Sequence, residues 1–123
     1  LRDEYENFAL KNQVLNTCQR FEDQYVIAPF KDQELPRPLM SQVADEIISI
    51  RDIEASFVVA NVSDDVVAVS SRSNGDLHVQ VVMERLGGGG HCTGAAAQIK
   101  GRSINDVVDQ IKEAIIEVRE ESE

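Results

Sequence analysis

The sequence contains no tryptophan and only six aromatic residues in 123 positions, which argues against a binding surface built from stacked rings. Cysteine is scarce as well. Cys18 and Cys92 lie far apart; one disulfide could join them, but nothing demands it, and reduced thiols are the plain expectation. No Cys-x-x-Cys or His-x-x-x-His spacing occurs, so the cysteines and histidines spell no zinc site. No apolar run approaches the roughly 18 residues that a membrane-spanning helix needs, and no signal peptide is visible. The chain opens on Leu1 rather than Met, which reads as a fragment or a processed product.

Acid is what the sequence has in excess. The formal net charge is −10, and a chain so charged should repel bulk duplex nucleic acid, whose affinity is largely electrostatic. The charge is unevenly placed. Asp106 to Glu123 holds seven acids and two bases, a net of −5, whereas Ser71 to Arg102 holds two acids and four bases, a net of +2. A small anion would be welcome in that second stretch where a long polyanion would not. Hydrophobic residues make up 42% of the chain, enough for one domain with its own core.

Periodicity sets the expected elements. Residues 1–20 read as a helix with Tyr5, Phe8, Asn12 and Leu15 at helical spacing. This helix, within a segment 1–22, reads as a connector from a missing upstream domain, with the domain proper at 23–123. "YVIAPF" (25–30) reads as a strand, and 31–38 as a proline-punctuated loop. Ser41 is expected to cap a helix that buries Val43, Ala44, Ile47 and Ile48. The β-branched runs at 56–62 and 66–71 form a hairpin across Ser63-Asp64-Asp65. Asp76 is expected to cap a short helix with Val79, Val82, Met83 and Leu86 inward, ending at Gly87. The segment "TGAAAQIKG" reads as extended. Ser103 caps a last helix whose inner positions are Val107, Val108, Ile111, Ala114, Ile115 and Val118. The sum is an α/β fold, a mixed β-sheet packed with helices.

The stretch "RLGGGGHCTGAAAQ" carries the candidate chemistry. Four glycines in a row usually tether, but these sit inside a domain, between two elements that share a core. Close approach of backbone would offset the entropy they lose on folding. Without Cβ atoms, successive N–H groups can form a concave nest for an anion, with His91 as a donor beside it. Arg72, at the end of an apolar strand, offers forked donors suited to phosphate. The other reading of Arg72 is a surface salt bridge to Glu84 or Asp76. Ser71 and Ser73 add hydroxyls nearby, with capping of the turn as the alternative for Ser73. Asn74 and Gly75 read as turn-makers, His78 as a surface or structural residue, and Cys92 as a small buried side chain rather than a nucleophile. The carboxylates show no metal-ligand spacing.

"GGGGHCTGAAAQI", preceded by "VSSRSNGDLHVQ", resembles the DHH-associated domain of the DHH phosphoesterases, most closely in the cyclic-di-AMP phosphodiesterases of the GdpP type from Gram-positive bacteria. The resemblance runs from Tyr25 to Val118. Ser71, Cys92 and Gly94 depart from the family's usual residues. It implies that Arg72 and Ser73 contact the substrate from the strand end, and that Gly88, Gly89, Gly90 and His91 hold its phosphate. It implies a preceding DHH domain of the same parent that binds two manganese ions and carries catalysis, since no Asp-His-His triplet occurs here. This chain would then hold no cofactor and no catalytic residue. The implied parent is membrane-anchored, with this domain on the cytoplasmic side and its ligand a cyclic dinucleotide or short oligonucleotide; a homodimer is left open. Two other readings stand beside this one: an accessory domain acting on oligoribonucleotides or single-strand ends, and a non-catalytic nucleic-acid-binding or oligomerisation module like the C-terminal domain of some tRNA synthetases.

Overall fold

The computed structural model describes residues 2–122. Its elements are α1 (Glu4–Leu15), β1 (Gln19–Phe21), β2 (Tyr25–Phe30), α2 (Arg37–Ile48), β3 (Ala55–Ser63), β4 (Val66–Ser73), α3 (Val79–Glu84), β5 (Gly89–His91), β6 (Gly94–Lys100) and α4 (Ile104–Ser122). The strands form one sheet in the order β1-β2-β3-β4-β6-β5. Only β2 and β3 pair in parallel, because α2 carries the chain from one to the other; every other neighbour is antiparallel. This is the expected mixed sheet with helices.

Alternation along the strands divides the core in two. Tyr25, Ile27, Phe57, Val59, Val67 and Val69 pack under α3 and α4. Val26, Ala28, Phe30, Val58, Ala60 and Ala68 pack under α1 and α2. The buried Ser56 hydroxyl, which would be costly unpaired, donates to the Ala44 carbonyl of α2 at 2.9 Å. Pro29 is tolerated in β2 because β1 pairs only with residues 25–27. Beyond them β2 is an edge, where a missing N–H breaks no ladder.

Several boundaries differ from expectation. The first helix ends at Leu15, and it buries Leu10 and Val14, while Tyr5 and Phe8 are 76% and 59% exposed. Residues 16–22 then turn into β1, which forms a hairpin with β2 through Glu22 and Asp23 at φ 51° and 65°. Arg119 of α4 pairs with Glu22 and holds this turn. The second helix begins at Arg37, not at Ser41, with Pro36 at its cap and Pro38 in its first turn. Proline fits there because the first N–H groups of a helix lack internal partners anyway. Asp76 does not cap α3; His78 occupies that position, with no side-chain cap. The last helix starts as expected, its Asp106 N–H bonded to the Ser103 hydroxyl at 3.0 Å. Removing that cap, Ser103→Ala, is expected to cost about 1 kcal/mol, measurable as a lower urea midpoint with an unchanged m-value.

Candidate functional site

The end of α3 sets where the glycines go. Gly87, at φ 86°, closes the helix in the left-handed conformation that glycine adopts freely. Its N–H reaches the Glu84 carbonyl at 3.1 Å, and the Gly88 N–H reaches the Met83 carbonyl at 2.8 Å. Two of the four glycine amides thus belong to the helix end. The next residues form β5, the sheet's last strand, paired with β6 as Gly89↔Ala96, Gly90↔Ala95 and His91↔Gly94. The run is neither a tether nor a nest of consecutive amides. It is a helix stop followed by an edge strand.

Glycine is required there by distance. A Cβ on Gly88 would lie 2.1 Å from the Ala96 carbonyl oxygen and 2.7 Å from the Ala97 Cα. One on Gly90, at φ 148°, would lie 2.5 Å from both the Ala95 Cα and the Gly94 carbonyl oxygen. Those neighbours are backbone and cannot swing away. Gly89 would meet nothing within 4 Å. Gly88→Ala and Gly90→Ala are therefore each expected to destabilise the chain by about 1–3 kcal/mol, and Gly89→Ala by less than about 0.5 kcal/mol, read from denaturant midpoints.

The register brings the charged candidates together. Arg72 of β4 pairs with Gly94 of β6, and Gly94 pairs with His91 of β5, so the three stand abreast on one sheet face. A Cβ on Gly94 would touch His91 Cε1 at 2.8 Å and Nε2 at 3.1 Å on one side, and Arg72 Cδ at 3.6 Å on the other. The bare Gly94 is the saddle on which both side chains rest. Arg72 donates from Nε to Asp45 Oδ1 at 2.8 Å and from Nη1 to the Ser71 carbonyl at 2.8 Å. Its salt-bridge partner is Asp45 of α2, not Glu84 or Asp76. Of five guanidinium N–H groups, three have no partner among the described residues. His91 is exposed, and its Nδ1 lies 3.4 Å from the Thr93 hydroxyl.

The flanking serines face the other way. The Ser71 hydroxyl donates to the Ala95 carbonyl at 2.8 Å, buried under the sheet's other face. The Ser73 hydroxyl donates to the Cys92 carbonyl at 3.1 Å and accepts from the Gly75 N–H at 3.2 Å. Ser73 is 8% exposed and ties the turn, the second of its two readings. The Cys92-Thr93 turn is held further by the Ser73 and Val79 N–H groups, bonded to the Thr93 and Cys92 carbonyls. Cys92 itself is exposed and free, as is Cys18; a turn residue whose backbone is fully engaged leaves its side chain outside. His78 is exposed, away from this row. Asp45, which holds Arg72, gave no signal in the sequence, since it lies 27 positions away in a helix read only for its apolar face.

Among the described residues no three His, Cys, Asp or Glu side chains are grouped to hold a metal ion, and no helix is long and apolar enough to cross a membrane. The arrangement suits an anion: two donor side chains beside bare backbone, aimed into solvent.

The DHHA1 domain model matches residues 22–117. The chain belongs to the DHHA1 domain family. It is 37% identical over 116 residues to the cyclic-di-AMP phosphodiesterase GdpP of Geobacillus thermodenitrificans, covering 94% of this chain and 18% of that protein. It is 32% identical over 112 residues to a membrane protein–large ribosomal subunit bL9 fusion protein of Onion yellows phytoplasma, covering 91% and 13%. The chain thus spans less than a fifth of the length of these relatives. Among solved structures it resembles an exopolyphosphatase-related protein from Bacteroides fragilis, with TM-score 0.79 and 17% identity, over 95% of this chain and 36% of that one. The C-Ala domain of Aquifex aeolicus alanyl-tRNA synthetase shares the fold at TM-score 0.62 and 15% identity, over 80% and 96%.

Gly94→Ala separates this DHHA1 domain's site from its stability. The new methyl meets the His91 ring, which can rotate away, so stability should fall by no more than about 1 kcal/mol. The His91 ring should be displaced, seen as a shift of its imidazole resonances.

Proposed function

We propose that this chain is the substrate-binding domain of a phosphodiesterase that hydrolyses cyclic-di-AMP to pApA. One observation carries the reading: Arg72 and His91 flank Gly94 on a single sheet face, with three guanidinium N–H groups free to meet a phosphate. In this reading Arg72 takes phosphate oxygens in a forked geometry, and His91 donates from the opposite side. Both then stabilise the charge that builds on those oxygens during attack at phosphorus. The open edge of β5, Gly89 and Gly90 included, lets the ligand approach main chain without meeting a Cβ.

Among the described residues no three His, Cys, Asp or Glu side chains are grouped for a metal ion. The two manganese ions implied by the resemblance are assigned to a DHH domain elsewhere in the parent, which would also supply catalysis. The share of this chain is binding and orientation. In this reading the parent is a membrane protein with this domain on its cytoplasmic side, in keeping with a relative named as a membrane protein.

Titration of the chain with cyclic-di-AMP and with pApA, in manganese buffer and with the products followed by chromatography, tests the proposal. Both ligands are expected to bind without turnover. Arg72→Ala and His91→Ala should each weaken binding roughly tenfold, the value of one hydrogen bond to a charged group. Turnover by the chain alone, or affinities that neither substitution changes, would sink the reading.

A further inference from the structure

Arg72 meets solvent already paired. Its Nε donates to Asp45 Oδ1 at 2.8 Å, and the Asp45 side chain, on α2, is 62% exposed. Exposed ion pairs add little to stability, so the fold gains little from this one. Its effect falls on the charge of the site. The charges of Arg72 and Asp45 cancel formally, and His91, across Gly94, adds a positive charge only when protonated. Other charges on α2 leave this balance as it is. Glu46 is paired with Lys11 at 3.7 Å. Arg37, at the start of the helix, stands about 12 Å away along its axis, beyond the screening length at physiological salt.

Two kinds of phosphate differ in the charge they bring. A phosphodiester carries one negative charge near neutral pH. A phosphomonoester carries close to two, because its second pKa is about 6. Both offer oxygens to the guanidinium N–H groups that Asp45 and Ser71 leave without a partner. Hydrogen-bond geometry puts a carboxylate on Nε within about 7 Å of any oxygen held by the same guanidinium. Repulsion at that distance counts about twice over for the dianion. An unpaired arginine would do the reverse and hold the more highly charged ligand more tightly.

We propose that Asp45 positions Arg72 and, by neutralising it, makes the site prefer a phosphodiester to a phosphomonoester. This rests on the reading of Arg72 and His91 as a phosphate-binding pair. Hydrolysis adds water across one P–O bond of a diester, leaving a hydroxyl on one side and a monoester on the other. The product then carries a charge that the site opposes, and Asp45 favours its release. The bond to Nε holds the guanidinium in place throughout, so discrimination by charge costs the site none of its geometry.

The test titrates the chain, by NMR at pH 8, with adenosine 5′-monophosphate and with its methyl ester, which share a nucleoside and differ by one charge. Asp45→Asn keeps an acceptor for Nε and removes the carboxylate charge. It is expected to tighten the monophosphate roughly fivefold and the ester roughly twofold. Any slackening of Arg72 lowers both affinities alike, so their ratio isolates the charge. Asp45→Glu, which keeps the charge, should leave that ratio near its native value. Should Asp45→Asn leave the ratio unchanged, or move it toward the ester, Asp45 does not set the preference, even where Arg72→Ala weakens both ligands. Should Arg72→Ala weaken neither, the phosphate-binding pair fails and the role of Asp45 goes with it.

Discussion

The site depends on how closely β5 lies against β6. At Gly88 and Gly90 the strands approach until a single methyl would overlap main chain. Facing them are Ala95, Ala96 and Ala97, so the glycine run and the alanine run are two halves of one fit. This contact carries His91 onto Gly94. Were β5 displaced by the width of a Cβ, the imidazole would lose its seat and its distance to Arg72. The glycines therefore act first through sterics. Whatever they contribute to ligand approach follows from the same missing atoms.

Strand parity then decides which polar residues meet solvent. In Ser71-Arg72-Ser73 the serines turn inward, where their hydroxyls hold β6 and the Cys92 turn, and the arginine turns outward. A slip of one residue would reverse this, putting a guanidinium in the core and a serine at the site. The serines are thus the reason the arginine is reliably placed. Asp45 adds a second constraint from α2 by taking Nε. Together with the Ser71 carbonyl on Nη1, that fixes the plane of the guanidinium and leaves three N–H groups without a partner among the described residues, a division of labour that lysine could not reproduce.

The elements legible in the sequence were those with one dominant signal. β2 and the β3–β4 hairpin have β-branched runs, and α4 has a serine cap and an unbroken inner stripe. The elements that were missed rest on tertiary contact. β5 is three residues long and has no alternation to read, because two of the three are glycine. β1 turns into β2 through glutamate and aspartate in left-handed geometry, without the glycine or asparagine that advertises such turns. In α1 the aromatic spacing of Tyr5 and Phe8 pointed to the wrong face, since aromatic identity does not ensure burial and Leu10 and Val14 meet the core. The start of α2 was hidden by prolines, which mark loops and first helical turns alike. Of the candidate site, the sequence named residues but not their orientation. Arg72 and His91 are 19 positions apart, and only the register across β6 makes them neighbours.

The excess of acid also takes on meaning once the sheet is in place. The carboxylates of the C-terminal helix sit with α4, on the face opposite Arg72 and His91. Arg72 and His91 stand on the α2 side, where Asp45 is the acid bonded to Arg72. A small anion between Arg72 and His91 meets donors, while a long polyanion must extend past them into the field of a chain carrying −10 overall. Interactions beyond the screening length of about 8 Å at physiological salt fade, so the local cations dominate for a small ligand and the global charge counts only for a large one. The same charge distribution therefore favours a small anion over a long polyanion.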